Sequence, residues 1–162
     1  MSQQDREFQA IFPVPFGALG VVMRGETLHQ IDFLPQNTSS KTPSDDVTRN
    51  VVSQIQCYLV DGKRLFTLPL QLHGTDFQQK VWAELQTIPS GEVRTYGEVA
   101  KRLNSSPRAV GNACRANPCP VVVPCHKVVG ANGIGGFSGK REGGPLAIKR
   151  WLLNNEGWSG CN

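Results

Sequence analysis

The chain changes texture at Gly74, and that change limits the folds open to it. Before this point, runs rich in Phe, Val and Ile at residues 8–12, 19–23 and 27–33 are short and are cut by Pro13, Pro15, Gly17 and Gly25. Such punctuation predicts a small antiparallel sheet, with Arg24-Gly25-Glu26 as the hairpin turn between its last two strands. Polar residues 35–46 predict a loop. Val47, Val51, Ile55, Tyr58 and Leu59 then fall at helical spacing until Asp61-Gly62, and residues 65–70 predict one more strand.

After Gly74 helix-start signals dominate. Thr75-Asp76-Phe77-Gln78 has capping-box form, and Phe77, Val81, Trp82, Leu85 and Ile88 share one helical stripe that stops at Pro89-Ser90-Gly91. Thr95-Tyr96-Gly97-Glu98 opens a second helix to about Leu103. Asn104-Ser105 is a tight turn, and Ser106 with Pro107 opens a third helix to about Ala116. Two helices across a short turn fit a helix-turn-helix as well as any helical hairpin. The face Ala109, Gly111, Asn112 and Ala113 is small for a helix that reads a major groove, and would let the backbone approach a narrow groove closely. Val121-Val122-Val123 predicts a buried strand running into Pro124-Cys125-His126-Lys127-Val128-Val129. A Gly-rich loop from Gly130 to Gly144 follows, then a last helix opened by Pro145, with Leu146, Trp151 and Leu152 inward and Glu156-Gly157 at its end. The expected class is α+β, with a small sheet-and-helix subdomain over 1–73 and a mainly helical one over 74–162.

Charge follows the same division. The net +4 of the whole chain says little about partners, but residues 1–74 carry 6 basic and 7 acidic side chains while residues 75–162 carry 11 and 6. The second half holds the positive field. Five cysteines are an odd number, which excludes a complete disulfide framework and fits a reducing, cytoplasmic setting. No apolar run approaches membrane-spanning length, and the stretch from Ile11 to Met23 is broken by prolines and glycines, so it reads as strands rather than as a signal segment.

Cys125 and His126 carry the chemical signal. A thiolate is the reactive form of cysteine, and a nearby imidazole can take its proton directly or through a water; a buried inert thiol beside a core histidine is the plain alternative. Cys114, Cys119, Cys125 and His126 miss the short paired-ligand spacing of structural zinc sites, and His29, His73 and Cys57 are too scattered to form one.

Pro124-Cys125-His126-Lys127-Val128-Val129 strongly resembles the Pro-Cys-His-Arg-Val motif of the O6-alkylguanine-DNA alkyltransferases. The resemblance extends over about residues 74–157: residues 74–93, Tyr96-Gly97-Glu98-Val99-Ala100, Pro107-Arg108-Ala109-Val110-Gly111, Arg115-Ala116-Asn117-Pro118 and Trp151-Leu152-Leu153 with Glu156-Gly157 are similar to family segments in the same order. It implies a ribonuclease-H-like N-terminal subdomain, a winged-helix-like C-terminal one, and single-use transfer of an alkyl group from guanine O6, less readily thymine O4, onto Cys125, with no cofactor or metal. Glu156 would orient His126, which activates Cys125 through a water. Double-stranded DNA containing the alkylated guanine would be bound from the minor groove, with Arg108 filling the stack after the base is rotated out and Ala109, Gly111 and Ala113 facing the groove. Tyr96 would donate to the flipped guanine, the Cys125 and Val128 carbonyls would read its amine, the Ser138 amide would donate to O6, and Asn117 would bridge the DNA-binding helices to the active-site strand. The protein would act as a monomer, with cooperative binding along DNA left open.

Lys127 stands where the motif has arginine, keeping the charge without the planar fork. Phe137 stands where many members have tyrosine, and the 140–144 loop is longer than in some relatives. A lesion-binding module resembling the alkyltransferase-like proteins would lack the nucleophile that Cys125 supplies. A cysteine hydrolase or thiol redox enzyme would call for an oxyanion loop or a Cys-x-x-Cys pair.

Overall fold

The computed structural model describes residues 7–135 and 144–158. Strands β1 (Ala10–Val14), β2 (Gly17–Arg24) and β3 (Thr27–Leu34) form an antiparallel sheet in the order β1-β2-β3. β2 is central and almost wholly buried, which suits its run of Ala, Leu, Gly and Val. Arg24 pairs with Thr27 around Gly25-Glu26, where Gly25 has φ +58°, a value a side chain would resist. The α+β class and the small antiparallel sheet therefore stand as read.

Helix α1 (Asp46–Val60) packs on this sheet and begins where Asp45 accepts from the Thr48 amide at 2.7 Å. Its inward stripe is Val51, Val52, Ile55 and Tyr58. The strand expected over 65–70 shrinks to a single bridge between Leu28 and Leu70. Pro69 has no N–H to give a ladder, and the Thr67 amide is taken by the Gln54 side chain of α1 at 2.9 Å. Only the Leu28 amide to the Pro69 carbonyl and the Gln71 amide to the Leu28 carbonyl remain of the pairing.

Helices α2 (Asp76–Leu85) and α3 (Tyr96–Arg102) both start with complete capping boxes, Thr75 with Gln78 and Thr95 with Glu98. Ser106 caps α4 (Pro107–Arg115), and the turn before it uses Asn104 at φ +57°. Glu84 on α2 pairs with Arg94 at 3.0 Å and with Arg102, fastening α3 from its two ends.

Val121–Val123 is buried but is not a strand. Pro118, Pro120 and Pro124 interrupt any ladder, and Val121 sits at φ +76°, a strained value for a β-branched residue. The segment is a coil of turns instead. A short 3₁₀ turn over Cys125–Lys127 leads into β5 (Val128–Val129), which pairs in parallel with β4 (Arg94–Thr95). Helix α5 (Gly144–Asn155) buries Leu146, Lys149, Leu152 and Leu153. A single cluster of buried side chains includes Val21 and Ile55 from one side of Gly74 and Trp82, Val110 and Leu152 from the other. Among the described residues no helix is long and apolar enough to cross a membrane.

Candidate active site

The 3₁₀ turn places Cys125, His126 and Lys127 in the interior, where α5 ends. His126 has no exposed surface, and Glu156, one residue beyond α5, is 3% exposed. Their contact is direct: His126 Nε2 lies 2.6 Å from Glu156 Oε2. Lys127 Nζ lies 2.9 Å from Glu156 Oε1 and donates to the Ile88 carbonyl at 3.0 Å, so the lysine keeps an ion pair with one carboxylate oxygen without an arginine fork.

Electrostatics set the resting state. Burial alone would raise the Glu156 pKa, but hydrogen bonds and charge from His126, the Tyr58 hydroxyl and Lys127 bring it down to about 2, so the group is a carboxylate at neutral pH. Burial lowers the His126 pKa below its ordinary value against the opposing pull of Glu156. A neutral imidazole beside a fixed carboxylate gives its N–H to that carboxylate, so Nε2 carries the proton and Nδ1 presents a lone pair. His126 Nδ1 is buried and has no hydrogen-bond partner among the described residues. Burial pushes the Cys125 thiol up, while the Asn117 side chain and the Lys149 ammonium favour its thiolate.

Cys125 lines a cavity of about 240 Å³ together with Asp32, Phe33, Cys114, Arg115 and Asn117. Asn117 holds the preceding coil from both sides: its Nδ2 donates to the Val123 carbonyl at 2.8 Å and its Oδ1 accepts from the Cys119 amide at 2.9 Å. Pairing of β4 with β5 puts the N-terminus of α3 beside Val128–Val129 and so brings Tyr96 to the site. Lys149 Nζ lies 6.0 Å from the centre of the Tyr96 ring and donates to the Val128 carbonyl at 2.7 Å. That carbonyl, expected to read a guanine amine, already has one donor and retains a second lone pair.

Arg108 is exposed and Ala109 and Gly111 are half-buried on α4. Ala113 is a correction. It is 2% exposed and its carbonyl accepts from Trp82 Nε1 at 2.9 Å, because Val110 and Ala113 lie three apart on the inward stripe. It belongs to the core and not to the face offered to a groove. Ser138, Phe137 and the 140–144 loop, except Gly144, lie outside the described residues.

Two neighbours of the site had no functional reading in the sequence. Tyr58 donates its hydroxyl to Glu156 Oε2, and on an apolar stripe it reads as core. Lys149 is fully buried, and the signal for it was available: a lysine between Leu146 and Leu152 on an inward-facing stripe needs a partner.

A family model described as 6-O-methylguanine DNA methyltransferase, DNA binding domain, matches residues 76–158. The methylated-DNA–protein-cysteine methyltransferase of Methanosarcina acetivorans is 36% identical over 157 residues, covering 93% of this chain and 98% of that protein. The constitutive enzyme of the same name from Bacillus subtilis is 42% identical over 125 residues, 75% of this chain and 72% of that one. The crystal structure of Mycobacterium tuberculosis OGT in complex with DNA superposes with a TM-score of 0.76 at 36% identity, covering 91% of both chains. With a single model spanning the second half and relatives matching almost end to end, the chain belongs to the 6-O-methylguanine DNA methyltransferase family.

Proposed function

We propose that this protein repairs DNA by direct transfer of a methyl or other alkyl group from O6 of guanine to Cys125 Sγ. The observation that carries the reading is the buried pair of an anionic Glu156 holding a neutral His126 with its Nδ1 unpartnered, next in the chain to a cysteine that lines a cavity. The thiol proton passes to His126 Nδ1 through one water, the S–C bond forms as the C–O6 bond breaks, and the electron pair leaves with guanine O6. The Tyr96 hydroxyl donates to the departing base, which ends as neutral guanine after proton return from the imidazolium. A thioether has no ready leaving group, so each molecule acts once.

The target base is rotated out of the duplex to reach the thiol. On this reading α3 and α4 are the helix pair that binds the duplex from its minor groove. Ala109 and Gly111 permit close approach, and Arg108 enters the space left in the stack. The half over 74–162 binds and reacts, and the half over 1–73 supports it. Ser138 is assigned the amide contact to O6, and Asn117 the link from α4 to the reactive turn. The need for a reduced Cys125 points to the cytoplasm as the working compartment.

Incubation with duplex containing O6-methylguanine tests this. The Cys125 peptide is expected to gain one methyl group in mass at one equivalent, and Cys125→Ser to gain none while still binding the duplex. No gain on wild-type Cys125, or turnover beyond one equivalent, rejects the reading.

A further inference from the structure

We infer that Tyr58, on α1 in the N-terminal half, is a positioning residue for alkyl transfer: its hydroxyl fixes the Glu156 carboxylate and thereby sets the orientation and basicity of His126. This rests on the reading of Cys125 as the alkyl acceptor.

Tyr58 is buried, and its hydroxyl donates to Oε2 of Glu156, the same oxygen that lies 2.6 Å from His126 Nε2. It also stands 3.4 Å from His126 Nε2 itself. Two donors on one carboxylate oxygen compete: the share of negative charge taken by the hydroxyl is withdrawn from the imidazole N–H, so Tyr58 restrains the pull of Glu156 on the His126 proton. Burial and the adjoining carboxylate push the phenol far above its ordinary range, so it remains a donor throughout. The other groups facing this relay do not duplicate the contact. Lys127 occupies Oε1, and Lys149 acts on His126 by charge while its ammonium is hydrogen-bonded to the Val128 carbonyl. Arg64 lines a second cavity, of about 290 Å³ and distinct from the one that Cys125 lines, together with Tyr58 and Glu156, and lies 3.8 Å from Asp61.

The end of α1 that carries the tyrosine, and the turn after it, are tied to the neighbouring segments. Asn155 Nδ2, the residue before Glu156, donates to the Tyr58 carbonyl at 2.9 Å, and Ser90 Oγ donates to the Gly62 carbonyl. Gly62 itself lies so close to Asn155 that a Cβ would meet its carbonyl oxygen and come within 2.9 Å of Glu156 Cα. The end of α1, the loop after α2 and the end of α5 thus meet at one point. A residue 98 positions before Glu156 in the chain becomes part of its hydrogen-bond shell.

The test is Tyr58→Phe, which keeps the ring and its packing 5.1 Å from Phe66. Single-turnover transfer from O6-methylguanine duplex is measured from pH 5 to 9 beside wild type. Transfer is expected to slow about 10-fold at neutral pH, with the acid limb of the rate profile moved to higher pH because the released carboxylate makes His126 more basic. Duplex Kd is expected to be unchanged. Site-specific 3,5-difluorotyrosine at position 58, a stronger donor, should move the limb the other way. ¹⁵N shifts of the His126 ring, followed against pH without DNA, should show the same two displacements of its titration. A lower rate or Tm with the acid limb and the ring titration unmoved marks Tyr58 as packing alone and overturns the inference. Methyl transfer by wild type with identical behaviour of the variant overturns it too, whereas failure of wild type to take the methyl group rejects the reading of Cys125 beneath it.

Discussion

Replacing Glu156 by glutamine tests the electrostatic account where its charges converge. The wild-type carboxylate carries His126, Tyr58 and Lys127 on its two oxygens, and its pKa falls from 4.5 to about 2. A folded-state pKa below the unfolded one means that the unfolded chain takes up the proton first, so the contribution is complete above about pH 4.5 and is lost as pH falls towards 2. At about 1.4 kcal/mol per unit the depression amounts to about 3 kcal/mol of stability at neutral pH. Glu156→Gln removes this and leaves the Lys127 ammonium buried beside a neutral amide, still donating to the Ile88 carbonyl but without its counter-charge. Stranding one member of a buried pair costs about 3–5 kcal/mol, so a deficit of that order is expected at pH 7. By about pH 3.5 the gap between the two proteins should narrow by about 1.4 kcal/mol, since the wild type alone is losing its carboxylate contribution. His126 has the same sign in the wild type: its lowered pKa makes the protein less stable as pH falls below about 6.5, and loss of the Glu156 pull deepens that depression in the variant, so the narrowing is read over the carboxylate range below about pH 4.5. Urea unfolding at a series of pH values between 7 and 3.5 gives the difference directly. A gap that stays constant across the series refutes the assignment of Glu156 as the buried anion of the relay.

Asn117→Ala removes both side-chain hydrogen bonds that this residue makes to the coil before Cys125, leaving the Cys119 amide and the Val123 carbonyl without them, and should cost about 1–3 kcal/mol. Chemical denaturation checks it, together with a slower single-turnover transfer. Gly62→Ala drives a methyl group into the Asn155 backbone next to Glu156 and should cost about 1–3 kcal/mol, with loss of transfer. Tm and methyl incorporation measured together test this, because an effect on stability alone would mean that Glu156 had not moved.

What could be read from the sequence was whatever the chain settles locally. Thr75, Thr95 and Ser106 announce their helices because a cap is satisfied within three residues, and the structure starts α2, α3 and α4 at those points. Residues 65–70 and Val121–Val123 have strand composition, yet whether a β-rich run becomes a strand depends on a partner with free amides and carbonyls. Gln54 took one of those sets and the prolines removed the others. Ala113 failed for a related reason. Small residues on α4 form more than one face, and only the position of Trp82 shows which of them is covered. Cys125 and His126 are adjacent and visible, but Glu156 lies 30 positions from His126, a separation no periodicity encodes, and only the likeness of motifs joined them. Tyr58 is further still, and a tyrosine on an apolar stripe gives no sign of where its hydroxyl goes.

Burial explains how such a site remains unused until its substrate arrives. In the resting protein it works against charge on both partners of the proposed proton transfer, pushing the Cys125 thiol up and the His126 imidazole down, so the uncharged pair is favoured. A thiolate left standing would be spent on any passing electrophile, a serious loss for a residue proposed to act once. The groups that favour the charged pair are already in place: Glu156 stabilises an imidazolium, while Lys149 and Asn117 stabilise a thiolate. They are held by α5, by the proline-interrupted coil and, through Tyr58, by the opposite half of the chain, so they need not reorganise when the proton moves. The remaining requirement of the proposed transfer is an electrophilic carbon in the cavity, which a flipped alkylated base would supply. On this argument the strained turn at Val121 and the close contact at Gly62 serve one purpose, to keep fixed a set of buried polar groups that a looser fold would let relax towards solvent.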